Sequence, residues 1–206
     1  MDTTSFATTF GVGIPDWVLA ELAGEPEVLE TPEERMRVLN RLAGRNFRDG
    51  GGGPFSAMVL ESGTGRVVSV GVNRVLDSQL SSMHAEVTAL SLAQRRLGTW
   101  DLGAAGGPGH ELWVNWRPCV LCYGATMWSG VRRLVIAGDG PEVEELTSFD
   151  EGPMRADWVE KFAERGIDVE IGVLREEALD VFRDYQRYVA AGKATVYNAR
   201  GTGLNT

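Results

Sequence analysis

Arg132-Arg133-Leu134-Val135-Ile136-Ala137 and Ile167-Asp168-Val169-Glu170-Ile171-Gly172-Val173 are two runs of strand character, and Met154 to Arg165 between them reads as a helix stopped by Gly166. A hairpin cannot contain a helix, so these strands are expected to be parallel and joined by a crossover. Upstream, Glu111-Leu112-Trp113-Val114-Asn115-Trp116 alternates as a third strand should. Phe55 to Glu61 and Arg66 to Val72 are apolar, β-branched runs separated by Ser62-Gly63-Thr64-Gly65, which is turn chemistry and makes an antiparallel hairpin. Helices are expected over 32–47, 84–97, 119–129 and 175–191. The order ββαβαβαβα implies an α/β sandwich on a five-stranded mixed sheet, its fourth and fifth strands parallel.

Thr31-Pro32-Glu33-Glu34 combines a capping box with proline at the first helical position, followed by Met36, Leu39, Ala43 and Phe47 at helical spacing. Residues 15–22 suit a short helix, and residues 1–12 a loose arm. The expected organisation is an N-terminal arm with a short helix over 1–30, one domain over 31–192 and a tail over 193–206. Gly50-Gly51-Gly52-Gly53-Pro54 cannot propagate a helix but can pass close to a ligand.

With 206 residues, 43% of them hydrophobic and 24% charged, the chain has the composition of one globular domain. Its formal charge of -9, from 20 Lys and Arg against 29 Asp and Glu, disfavours a general nucleic-acid binder. No apolar run approaches the roughly 18 residues of a spanning helix, and Met1 to Phe6 carries no positive leader, so no membrane and a cytoplasmic address are expected. Two cysteines, Cys119 and Cys122, are too few and too close to staple a secreted fold.

The chemistry concentrates in His84-Ala85-Glu86 and Pro118-Cys119-Val120-Leu121-Cys122. His84, Cys119 and Cys122 are three ligands suited to zinc, one ion per chain, with a fourth tetrahedral position left for water. Each group stands where a helix begins, and positive helix ends favour the thiolates. Glu86, two residues from His84, can reach the open position without being a ligand and would carry the proton of a water whose pKa zinc lowers towards roughly 7. Alone, Cys119-Val120-Leu121-Cys122 could be a redox pair, but such a pair has no use for His84 and Glu86. A structural zinc would need a fourth protein ligand, and the spare His110 lies beside a glycine-rich connection.

An H-x-E element with P-C-x-x-C is the zinc deaminase signature, and the chain resembles the cytidine deaminase superfamily over about residues 30–190. Within it, Gly53-Pro54-Phe55, Asn73, His84 to Leu90 and Cys119 to Ala125, with Trp128, are most similar to the bacterial guanine deaminase branch. The resemblance implies a three-layer α/β/α fold of cytidine-deaminase type. It implies that Phe55 stacks on a base, that Asn73 donates to and accepts from the ring edge, and that Ala85 and Trp128 belong to the substrate pocket. In Phe149-Asp150-Glu151, Glu151 takes the role of a second carboxyl assisting proton transfer. It further implies a homodimer with a swapped C-terminal segment, Tyr197 closing the partner's site. The sequence departs from the pattern at Trp116 and Arg117, where relatives often carry small or acidic residues.

The expectation is therefore hydrolytic deamination of a free amino-heterocyclic base, guanine to xanthine and ammonia first. Cytosine, a triazine such as ammeline or a modified purine are the other bases weighed. A tRNA adenosine deaminase would need a cationic face, against the acidic balance and Glu142-Val143-Glu144-Glu145. A deaminase-fold partner subunit without turnover is the non-enzyme alternative.

Overall fold

Thr31 starts the first long helix as its sequence dictates: its hydroxyl accepts from the Glu34 N–H at 3.2 Å, and the Glu34 carboxylate accepts from the Thr31 N–H at 2.9 Å. The structure is a computed structural model and describes residues 1, 3–104 and 106–198. Helix α1 spans Asp16–Leu22 and α2 spans Pro32–Asn46. The hairpin follows as β1 (Ser56–Glu61) and β2 (Val67–Val72), then α3 (Val75–Ser78), α4 (Ala85–Leu97), β3 (His110–Val114), α5 (Val120–Ser129) and β4 (Arg133–Ile136). Helices α6 (Glu142–Thr147) and α7 (Trp158–Ala163) lead to β5 (Asp168–Ile171), and α8 (Arg175–Ala190) follows.

The sheet order is β2-β1-β3-β4-β5. Strand β1 runs antiparallel to β2 and β3, whereas β3, β4 and β5 are parallel, with Leu134 opposite both Leu112 and Val169. Alternation along the strands sorts the core into two faces. Met58, Leu60, Trp113 and Val135 pack with Leu39 and Leu42 of α2 and Phe182 of α8. Ala57, Val59, Leu112 and Leu134 pack with Ala89 and Ala93 of α4 and Phe162 of α7. Helices on both faces make the three-layer α/β/α architecture that the resemblance implied. Phe162 and Phe182 are fully buried, and truncating either to alanine should cost about 3–5 kcal/mol.

Three departures have physical reasons. The crossover between β4 and β5 carries two helices, because Pro141 precedes an acidic first turn of Glu142, Glu144 and Glu145 that complements a helix N-terminus. Strand β3 stops before Asn115, whose N–H still donates to the Ser56 carbonyl at 3.3 Å but whose side chain takes the return bond from the Ser56 N–H and donates to the Pro54 carbonyl, both at 3.0 Å. Residues of the expected arm are packed: Val18 and Leu29 join the core, and Glu21 pairs with Arg41 and Arg45 at 2.7 and 3.1 Å.

Candidate active site

Two helix N-termini meet at the C-terminal edge of the sheet. His84 is the N-cap of α4 and Cys119 that of α5, both with extended backbone, so their side chains stand in front of their helices. Helix α4 lies against β2 because residue 71 is glycine: a Cβ there would fall 2.5 Å from the Ala89 nitrogen and closer still to the Ala85 carbonyl oxygen. That close approach places His84 and Glu86 beside the start of α5.

His84 Nδ1 lies 3.4 Å from Cys119 Sγ and 3.5 Å from Cys122 Sγ, and the three ligand atoms all fall within 4.8 Å of one another. Tetrahedral zinc, with bonds of about 2.0–2.1 Å to nitrogen and 2.3 Å to sulfur, would separate nitrogen from sulfur by about 3.6 Å, so the triad fits the ion. It is the only such group among the described residues, and His110 is elsewhere, its Nδ1 2.6 Å from the Leu102 carbonyl oxygen. Three protein ligands is the count of a zinc site that keeps a position open.

The electrostatics are those of crowded acids around one cation. Hydrogen bonding from Cys122 brings the Cys119 thiol down to about 4 against the opposing effect of burial, and His84 assists. Burial disfavours charge on His84, but the hydrogen bond and charge of Cys119 outweigh it and raise the imidazole to about 9. Cys122 is pushed well above the ordinary thiol range, by burial first and then by its thiolate neighbour. Left to itself the set holds one thiolate, and a bound dication would favour the second. Burial, then the Cys119 charge, raises Glu86 to about 7 and Glu151 to about 8.

These groups open on a cavity of about 410 Å³, within the usual size range of small-molecule sites. His84, Glu86 and Cys119 line it with Glu151, Phe55 and Asn73. Phe55 immediately precedes β1, its ring 5.6 Å from Phe149 and 5.9 Å from Phe182. Glu151 sits in a loop held by its own carbonyl, which accepts from the Val120 N–H at 3.0 Å, and by Gly152, where a Cβ would strike Val120. Asn73 ends β2 and is buried. Its Oδ1 accepts from the Val75 N–H at 3.1 Å and from the Tyr197 hydroxyl at 2.6 Å, while Nδ2 meets no partner among the described residues. The expectation that this amide both donates and accepts is thus corrected, because its acceptor is spent inside the protein.

Tyr197 stands in the cavity of its own chain. The chain turns after α8 at Gly192, with φ +70°, and Val196 is buried with Phe47, Phe149 and Tyr185. The Tyr197 hydroxyl then accepts from the Gly53 N–H at 2.9 Å. Within the single chain described, Tyr197 belongs to its own cavity, and its closing of a partner's site in a swapped dimer stands as a proposal. The end of the expected tail, 199–206, lies outside the described residues.

Two further expected pocket residues stand away from this cavity within the single chain. Ala85 is fully buried in the core behind the site and is not on the cavity wall. Trp128 is 81% exposed on the outer face of α5, because Cys122, Thr126 and Ser129 turn inward. Sequence reasoning missed Asn46, whose buried Nδ2 donates to the Gly53 and Asn73 carbonyls at 3.0 and 2.9 Å and ties the glycine loop to β2. It treated Arg117, which lines the cavity, only as a departure from pattern.

The profile of the cytidine and deoxycytidylate deaminase zinc-binding region matches residues 29–138, and the chain belongs to that family. Among known proteins it is similar to the guanine deaminase of Bacillus subtilis (strain 168), 31% identical over 53% of this chain and 65% of the relative. The chain spans less than two thirds of the first curated relatives it matches. A solved guanine deaminase from Nitrosomonas europaea is 41% identical, covering 88% of this chain and 98% of that one with a TM-score of 0.81. The protein NE0047, solved in complex with 2,6-diaminopurine, is 42% identical over 92% of this chain and 97% of its own, also with a TM-score of 0.81. No helix among the described residues is long and apolar enough to cross a membrane.

Proposed function

We propose that this chain hydrolytically deaminates a free amino-heterocyclic base, guanine first, to xanthine and ammonia. The observation that carries the reading is the union in one cavity of the His84, Cys119 and Cys122 triad, the buried carboxyls of Glu86 and Glu151, and an aromatic face at Phe55. Zinc held by the triad would supply a Lewis acid and a water acidic enough to attack near neutral pH. The protein's own groups do the rest. Phe55 stacks on the ring, and Asn73 Nδ2 donates to an acceptor on its edge. The Glu86 carboxyl takes up a proton beside the open zinc position and returns it to the ring nitrogen, and Glu151 is the second carboxyl able to protonate the departing amine. The second water proton, left on the added hydroxyl, passes through these carboxyls to the departing amine as the C=O forms and the C–N bond breaks, so that water and the base become the oxo base and ammonia.

The likeness to guanine deaminases, one solved with 2,6-diaminopurine in a close relative, supports a purine. A cavity of about 410 Å³ and a net charge of -9 favour a small neutral ring over an anionic polymer. The outer face of α5 presents Val120, Leu121 and Trp128 to solvent, which supports a homodimer packed through that helix. Ammonia release from guanine, cytosine, ammeline, guanosine, cytidine and a tRNA anticodon stem-loop at equal enzyme tests the reading. Guanine should lead. Preference for a nucleoside or the RNA would overturn it, whereas preference for another free base would change only the substrate's name.

A further inference from the structure

Arg117 follows Trp116 in the segment between β3 and α5, and the two side chains part company. Trp116 is buried, its Nε1 donating to the Gly140 carbonyl at 3.2 Å and its ring 5.2 Å from Phe182. Arg117 is held by its backbone, whose N–H donates to the Gly138 carbonyl at 2.9 Å, and its side chain lines the cavity. Its Nε is sealed from solvent without a hydrogen-bond partner, whereas Nη1 and Nη2 are not among the enclosed unpartnered atoms, so it is the Nη end that a ligand could meet. Glu86, Asp150 and Glu151 line the same cavity, and although none is within ion-pairing distance of Arg117 among the described residues, the Arg117 charge acts at longer range to lower Glu151 against the effect of burial.

A guanidinium donates and accepts nothing, so any ligand group that meets its Nη end in the cavity must present an acceptor. Asn73 presents a donor as well. The carboxyls of Glu86 and Glu151 serve the amine end of the ligand, so the two donors are left for oxygen or nitrogen acceptors elsewhere on the ring. An exocyclic oxo group suits the guanidinium best: a carbonyl oxygen offers two lone pairs to a planar fork, whereas an amino group in its place would set donor against donor.

We propose that Arg117 reads an exocyclic oxygen of the substrate and makes the site select amino-oxo heterocycles over diamino ones. The inference rests on the reading that a free base occupies this cavity. Its test compares guanine with 2,6-diaminopurine, which carry oxygen and amino respectively at the same exocyclic position, the neighbouring ring nitrogen changing from N–H donor to acceptor with it. Dissociation constants for both bases are measured on the zinc-loaded wild type, Arg117→Ala and Arg117→Gln, with ammonia release in parallel and melting temperature reporting the fold. Loss of a charged hydrogen bond should weaken guanine binding by about tenfold or more in Arg117→Ala. Binding of 2,6-diaminopurine should change by less than about twofold, since it makes no such bond. Arg117→Gln, which keeps a donor without the charge, should recover part of the preference. Equal weakening of both bases, or an unmoved ratio, would refute the role. If the wild type binds both bases but deaminates neither, the proposed reaction fails while the binding ratio still decides Arg117. If it binds neither, both ideas fall.

Discussion

Gly71 is a structural position on which the site should depend, and Gly71→Ala measures that dependence. The added methyl would stand 2.5 Å from the Ala89 nitrogen and closer to the Ala85 carbonyl oxygen, where real Cβ contacts essentially never fall below 3.0 Å. Both obstacles are backbone of α4, so no rotamer change relieves them. The N-terminal half of α4 must move away from β2 by at least about 0.5 Å, a displacement of a packed core that costs roughly 1–3 kcal/mol. For a domain of this length each kcal/mol lowers the melting temperature by about 2–4 °C. The movement passes to His84, whose Nδ1 stands 3.4 and 3.5 Å from the two sulfurs. Metal–ligand distances tolerate only about 0.2 Å. Zinc affinity should therefore fall by at least about tenfold, in line with losses on disturbing residues that support a ligand. Calorimetry and zinc retention against a graded chelator read the two effects. Gly44→Ala is the control, since its methyl would meet only Arg48 Nη1 at 3.5 Å in the interior of α2. It should be neutral or gain about 0.5–1 kcal/mol. A Gly71→Ala protein with wild-type melting and zinc retention would refute the idea that this contact seats the ligand.

Glu86→Gln should keep its zinc and lose turnover by at least about a hundredfold, the low end of what a positioned proton carrier contributes; activity within about tenfold of wild type would move that role elsewhere. Cys119→Ala and His84→Ala should lose both the metal, measured as zinc per chain, and ammonia release; full activity in rigorously zinc-free protein would defeat the metal reading. In zinc-stripped protein, burial holds Glu151 near 8 against an ordinary 4.5. The native state then binds a proton that the unfolded chain has released, so stability falls as pH rises from about 4.5 to 8. Glu151→Gln should flatten that part of the denaturation profile, and an unchanged slope would reject the assignment. Trp128→Glu, on the exposed face of α5, should shift the protein from dimer to monomer in light scattering; a wild type that is monomeric at working concentration would exclude the dimer.

The fold was legible wherever local chemistry and tertiary packing agree. Thr31 and Glu34 cap each other as the spacing requires, and a helix between two strands leaves only a parallel pair. Legibility failed where a side chain substitutes for backbone. Asn115 and Trp116 continue the alternation of β3, but the Asn115 amide takes over pairing with Ser56 and Pro54 and ends the strand. Helix α5 is apolar on most sides: Cys122 and Thr126 face inward, the Tyr123 ring lies tilted against Phe162 with centroids 4.7 Å apart, and Leu121 and Trp128 face outward. With no polar stripe to mark the outside, sequence could not place Trp128.

In the site, the triad was legible because H-x-E and C-x-x-C carry their own spacing, whereas Asn73 needed the structure. The Val75 N–H can only donate, so the atom 3.1 Å away must be the amide oxygen. The Tyr197 hydroxyl already accepts from the Gly53 N–H, so its proton points to the same oxygen. Residue 52 is glycine with φ +154°, and a Cβ there would strike Asn73 Oδ1 and come within 3.1 Å of the Tyr197 hydroxyl. The adjacent Val75 and two segments distant in sequence, the glycine loop and Tyr197, thus set which end of one amide is left for the cavity. That end donates, so on the proposed reading the ring edge it meets accepts, and a base presenting only N–H groups there should bind more weakly by about 1–3 kcal/mol. On that reading, the choice among rings depends partly on the glycine loop and on Tyr197, which set the amide from outside the His84, Cys119 and Cys122 triad.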